Sequence, residues 1–256
     1  MIRRAKDLSE WIRQQVTIAG ARGVVVGLTG APDSAVVARL CQMAVPGRVI
    51  GAMTPCQTDP RDEQDADLIA RQFDVPVIRV DLEPAYDRLV GDLDDMLLLL
   101  RQDRAADGGT PSDTPASRTP SVNIKPRLRM SALFFLAESL NCLVVGAGNR
   151  SDLTVGSFTK YGDAAVDLLP LGQLLESEVR TLARELEIPE QVLERTRADR
   201  AGSREADEGQ MGFSYADLER YLNDGPDGVS PALAMRIERL LRTSEHKRAV
   251  ALIPEL

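Results

Sequence analysis

The chain has 256 residues and carries 31 Lys and Arg against 39 Asp and Glu, for a net charge of −8. That acidic balance, with aromatics at only 4%, excludes a nonspecific nucleic-acid binder and a base-stacking platform. A single histidine, His246, excludes an imidazole metal cluster and is the only candidate for a Ser-His-Asp or Cys-His mechanism. Lysine is nearly as scarce, at Lys6, Lys125, Lys160 and Lys247. The length suits one α/β domain with an ample core. Cys41, Cys56 and Cys142, odd in number and widely spaced, point to reduced thiols in a cytoplasmic protein. No apolar stretch approaches the ~20 residues of a membrane span, so neither membrane nor nucleic acid is an expected partner.

In chain order, Met1–Gly20 reads as an amphipathic helix around Leu8, Trp11, Ile12 and Val16. A β-branched run flanked by glycine, 23–28, predicts a buried strand, and 33–44 a helix. Val49–Met53 is a second strand, and Pro60–Phe73 a helix with acids near its start, favoured by the helix dipole. Val77–Val80 is a third strand, followed by a helix over Pro84–Arg101. Residues 102–121 are polar and proline-rich and predict a mobile loop, as does the charged segment 196–209. Ile124–Leu140 is a helix and Cys142–Ala147 a strand; helices follow near 174–186, 214–222 and 231–243. This alternation predicts a doubly wound parallel sheet with C-terminal helices, forming a single domain over 1–256, with ligands beyond the carboxyl ends of the strands.

The strongest local signal is Gly27-Leu28-Thr29-Gly30-Ala31-Pro32-Asp33-Ser34, between the first strand and its helix. A small-residue turn there aims backbone N–H groups at an anion. The same residues also serve any strand–helix turn, so alone they divide evenly between the two readings. They do not stand alone. The loop resembles the SGGxDS pyrophosphate loop of the N-type ATP pyrophosphatases, and later blocks resemble those of the ammonia-dependent NAD synthetases: 123–130 (NIKPRLRM), 144–152 (VVGAGNRSD), 158–163 (FTKYGD), 166–171 (VDLLPL), 208–215 (EGQMGFSY) and 244–248 (SEHKR). Order and spacing agree over essentially the whole chain.

The resemblance implies a Rossmann-like fold of the adenine nucleotide alpha-hydrolase type. It also implies a reaction: nicotinic acid adenine dinucleotide (deamido-NAD) is adenylated by MgATP, and ammonia displaces AMP to give NAD. It further implies a homodimer. Carried over by position, Asp33 and Ser34 become catalytic. Gly27, Leu28, Thr29, Gly30, Ala31, Pro32, Asp33, Ser34, Ala147, Glu176 and Ala198 fall at ATP positions. Arg127, Lys160, Asp167, His246 and Lys247 fall at deamido-NAD positions, and Asp33 and Asp152 at Mg²⁺ positions. Departures concentrate on the ATP side. Ala31 stands for glycine, which would strain a left-handed backbone; Pro32 removes an N–H; Asp152 shortens a glutamate; Ala147 and Ala198 remove hydroxyls; and Glu176 replaces a phosphate-binding lysine, making it a phosphate repeller. These changes leave an alternative open. The chain could be a catalytically impaired relative that binds a pyridine dinucleotide in a regulatory role, or a ligase for a different carboxylate.

Overall fold

The computed structural model describes residues 2–106, 119–194, 208–209 and 211–249. Four parallel strands, β1 (Gly23–Gly27), β2 (Val49–Met53), β3 (Val77–Arg79) and β4 (Cys142–Val145), form a sheet in the order β3-β2-β1-β4. Val24 pairs with Val49 on one side and with Leu143 on the other. Beyond β4, Val145 makes a parallel bridge to Leu168, widening the sheet at that edge.

Strand β1 is buried on both faces, which is why it is an unbroken Val run rather than an alternating one. Val24 and Val26 enter the main core with Ile12 and Val16 of α1 (Ile2–Ile18), Ala35–Ala38 and Leu40 of α2 (Pro32–Ala44), and Val179 and Leu182 of α8 (Glu176–Glu185). Val25 faces the other way, onto Ala137 and Leu133 of α6 (Ile124–Leu140) with Ala52 and Val144. Helices therefore cover both faces, as the alternation predicts. A satellite cluster joins Val155, Phe213, Tyr215, Leu218 and Ile237. It packs α7 (Arg150–Val155) with α10 (Tyr215–Asp224) and α11 (Pro231–Thr243). The chain closes with α12 (Glu245–Arg248).

Several boundaries differ from expectation. Trp11 is exposed; the buried stripe of α1 runs instead through Ala5, Ser9, Ile12 and Val16, the spacing of one helix face. Helix α3 (Pro60–Gln72) starts where Asp59 accepts the N–H of Arg61 and Pro60 occupies the first turn. Helix α4 runs Glu83–Ala106, and α5 occupies Thr119–Val122. The expected loop over 102–121 is thus helical at both ends, and its middle, 107–118, lies outside the described residues. Of the second expected loop, residues 196–207 lie outside the described residues, while Glu208 and Gly209 are helical. Helix α7 and the short α9 (Glu190–Glu194) were not expected from periodicity.

Candidate active site

The chain runs β1, β2, β3 in one direction across the sheet, then returns to place β4 on the other side of β1. The crevice between β1 and β4 is therefore the topological switch point, where doubly wound sheets hold ligands. The Gly27–Ser34 loop leaves β1 at this crevice, and the Gly146–Asn149 loop leaves β4 beside it.

The first loop is braced from within. Thr29 Oγ donates to Ser34 Oγ (3.1 Å) and accepts from the N–H of Ala31 (3.3 Å), while Ser34 Oγ donates to the carbonyl of Ala31 (2.9 Å). Ser34 is buried and Thr29 exposed. Gly30 has φ +75°, and a Cβ there would lie 2.3 Å from the carbonyl oxygen of Asp62 in α3, so only glycine fits. Ala31 sits at φ −82°, ψ 153°, an ordinary extended conformation, so the strain foreseen for an alanine at this point is not there. Ala31 is also the cap residue of α2 and makes no side-chain cap hydrogen bond, and Pro32 follows at the start of the helix. A helix beginning without a side-chain cap keeps its first-turn N–H groups for an incoming anion.

In the second loop Asn149 is fully buried. Its Oδ1 accepts the N–H of Asp152 (3.1 Å), capping α7, and its Nδ2 donates to Glu176 Oε2 (3.1 Å). The Glu176 N–H donates to Ser151 Oγ (3.2 Å), and Arg180 Nε lies 3.6 Å from Glu176 Oε1. Glu176 is only 2% exposed. Asn149 and Arg180 thus both lie against its carboxylate. Asp152 Oδ1 accepts from Tyr215 Oη (2.6 Å). Asp33 and Asp152 each lie in the first turn of a helix that follows one of two adjacent strands. Among the described residues no group of three or more His, Cys, Asp or Glu is gathered. Two carboxylates suit Mg²⁺, a hard cation that fills its remaining positions with phosphate oxygens and water. Ala147 is half-buried against the core, and Ala198 lies outside the described residues.

A third group gathers four of the expected dinucleotide residues. Lys160 Nζ donates to the carbonyls of His246 and Ala249, and Arg127 Nε donates to the carbonyl of Lys160 (3.3 Å). Lys247 Nζ donates to the carbonyls of Gly156 (2.7 Å) and Phe158 (2.9 Å). Desolvation holds the Lys247 ammonium below its ordinary pKa, with Asp163 opposing the shift. Burial raises the Asp163 carboxyl, against Lys247 and Arg129, which both favour its charged form. His246 is exposed, its Nδ1 3.0 Å from the carbonyl of Thr243. Asp167 stands apart: its carboxylate accepts the N–H of Val144 in β4 (2.8 Å). Two residues were missed as individuals. Arg129 reaches Thr54 O and Thr58 Oγ (both 3.3 Å) at the carboxyl end of β2, and Tyr215 holds Asp152. Both lie inside recognisable blocks, but nothing local singles them out.

The profile of the NAD synthase family matches residues 4–251. The chain belongs to the NAD synthase family. The NH(3)-dependent NAD(+) synthetase of Carboxydothermus hydrogenoformans is 40% identical over 99% of this chain and 97% of its own length. That of Syntrophomonas wolfei is 39% identical over 96% and 94%. Among solved structures, the NMN synthetase of Francisella tularensis superposes with a TM-score of 0.83 at 28% identity, covering 99% of this chain and 98% of that one. The NH3-dependent NAD synthetase of Campylobacter jejuni, with a TM-score of 0.76 at 24% identity and the same coverage, supports the fold. Membership in the NAD synthase family spans both loops and the basic cluster, so all three groups fall within one shared architecture. Among the described residues no helix is long and apolar enough to cross a membrane.

Proposed function

We propose that the chain is an ammonia-dependent NAD synthetase. It adenylates the carboxylate of deamido-NAD with ATP, releasing pyrophosphate, and ammonia then displaces AMP to form the amide of NAD. The observation that carries this reading is the 40% identity to a curated NH(3)-dependent NAD(+) synthetase along almost the whole of both chains. The geometry supports it. A carboxylate becomes an electrophile only when one oxygen is turned into a good leaving group, and the charge that develops on the departing pyrophosphate needs donors and cations.

In this reading the Gly27–Ser34 loop, with Ala147, Glu176 and Ala198, frames ATP. The opening N–H groups of α2 receive a phosphate, and Ser34 acts by holding the loop in shape. Asp33 and Asp152 hold Mg²⁺, which when bound neutralises phosphate charge. Lys160, Lys247, His246 and Arg127 form the dinucleotide wall, with Asp167 at its β4 edge. A second copy of the chain covers α4 and α6, where Leu93, Met96, Leu97 and Phe135 (71%) are exposed as an apolar face. The free cysteines Cys41, Cys56 and Cys142 fit a cytoplasmic setting.

The test incubates the protein with ammonium, MgATP and either deamido-NAD or nicotinic acid mononucleotide, following AMP and the amide product together. Equimolar AMP and NAD are expected. The mononucleotide belongs in the assay because a protein of this architecture is an NMN synthetase. Preferential turnover of the mononucleotide would replace the substrate in this reading, and turnover of neither would refute it.

A further inference from the structure

Helix α12 is joined to the segment that follows α7 by an exchange of lysines. Lys247 Nζ, on α12, donates to the carbonyls of Gly156 (2.7 Å) and Phe158 (2.9 Å), and Lys160 Nζ donates back to the carbonyls of His246 and Ala249. An ammonium has three donors. Each lysine commits two of them to backbone, so each is held with one N–H, and its charge, to offer a ligand oxygen. The two segments also touch directly. Gly156 has φ +74°, and a Cβ there would lie 2.3 Å from Cβ of Ser244, so glycine is required at this contact.

The next residue, Arg248, falls at none of the positions carried over to a substrate. Its Nη1 donates to the carbonyls of Leu153 and Thr154 (both 3.0 Å) and to Ser244 Oγ (2.9 Å), and its Nη2 to the carbonyl of Leu241 (2.7 Å). Leu153 and Thr154 are in the last turn of α7, and Leu241 is in the last turn of α11. Carbonyls there have no partner within their own helix, and a cation is favoured beside them. One guanidinium fork thus bridges the ends of two helices, with both terminal nitrogens committed to protein oxygens. A lysine would keep the charge but bring a single nitrogen, which cannot serve both ends.

We infer that Arg248 is a positioning residue for dinucleotide recognition: by tying the ends of α7 and α11 together across α12, it holds Lys160 and Lys247 in the register in which each keeps one donor for the ligand. This rests on the reading of Lys160 and Lys247 as part of the dinucleotide wall given above. Arg248 acts through the two lysines and touches no ligand itself.

The experiment is a calorimetric titration of each protein with deamido-NAD, with nicotinic acid mononucleotide and with a non-hydrolysable ATP analogue, and melting curves confirm that each variant is folded. Arg248→Ala should weaken binding of the pyridine nucleotide that wild type prefers by about tenfold, the worth of one charged hydrogen bond to the ligand. Binding of the ATP analogue should stay within about twofold, since none of the four contacts reaches the phosphate loop by the same reasoning. Arg248→Lys should weaken the pyridine nucleotide nearly as much, and it carries the test where Arg248→Ala does not fold. In a Lys160→Ala background the loss on removing Arg248 should shrink to about threefold, because part of what it positions is already gone. Wild-type protein that binds neither pyridine nucleotide refutes the dinucleotide reading, and this proposal with it. If wild type binds one, the proposal alone is overturned by wild-type affinity in Arg248→Ala or Arg248→Lys, by equal weakening of the ATP analogue, or by the full loss persisting without Lys160.

Discussion

Gly30→Ala is the sharpest single perturbation of the phosphate loop. At φ +75° an L-residue pays about 1–2 kcal/mol against glycine. The added Cβ would also sit 2.3 Å from the carbonyl oxygen of Asp62 and 3.1 Å from Cβ of Asp65. Both belong to the first half of α3, so no flexible tip can swing away, and either the loop or the helix start must give by about 1 Å, the kind of overpacking that costs about 1–3 kcal/mol. The two effects together come to about 3 kcal/mol, which for a chain of this size lowers Tm by about 6–12 °C. A displacement of that size beside reacting groups lowers the rate by about a hundredfold. The control is Gly91→Ala, in the interior of α4, where an added Cβ meets nothing within 4 Å; it should be stabilised by about 0.5–1 kcal/mol. Thermal melts and initial rates at varied ATP read both variants. Gly30→Ala with the melting temperature and ATP KM of wild type would refute the close approach of this loop to α3 and its place in nucleotide binding.

Three further outcomes are expected. Glu178 accepts the N–H of Leu175 (2.9 Å) at the start of α8 and pairs with Arg4 (2.5 Å). Desolvation pushes its pKa up, but those two hydrogen bonds outweigh it and leave it below the ordinary 4.5. Because the folded carboxylate binds its proton less readily than the unfolded one, its contribution is complete above pH 4.5 and is lost as pH falls below that value. Glu178→Gln should cost about 1 kcal/mol at pH 7 and less at acid pH, so the two melting curves converge on acidification; parallel curves would rule the linkage out. Lys160→Ala should raise the KM for deamido-NAD about tenfold, the worth of one charged hydrogen bond, while the ATP KM stays put; an equal rise in both would remove Lys160 from the dinucleotide wall. Leu97→Glu, on the exposed face of α4 (49%), should convert dimer to monomer in sedimentation velocity at micromolar protein. A wild type that is already monomeric there would reject a second copy on α4.

Much of the scaffold was legible because its signals are local. The Val24–Val26 run, buried on both faces, announced a central parallel strand, and α11 began and ended where Ser230 and Pro231 at one end and Thr243 at the other put it. Helix α4 outran its expected end at Arg101 because the residues that extend it, 102–106, have no apolar period to follow. Helix α7 has only six residues, too few for periodicity. Its one local mark is capping: Asn149 three residues ahead of Asp152, with Gly156 closing the turn at φ +74°.

The site was legible as a set of loops but not as a set of charges. Four of the five residues carried over to the dinucleotide were found together, because their blocks meet through α12, while Asp167 was found on the β4 backbone. Glu176 shows why sign alone does not transfer. A negative residue at a phosphate position is a repeller only if its carboxylate faces the phosphate. Here that carboxylate faces Asn149, 27 positions earlier, and Arg180, four positions later. Of these only Arg180 has the spacing of a helix-face partner that a sequence reveals. The Asn149 contact depends on the loop after β4 meeting the start of α8. Where the Glu176 charge points is therefore set by tertiary structure, which no local pattern in the sequence records.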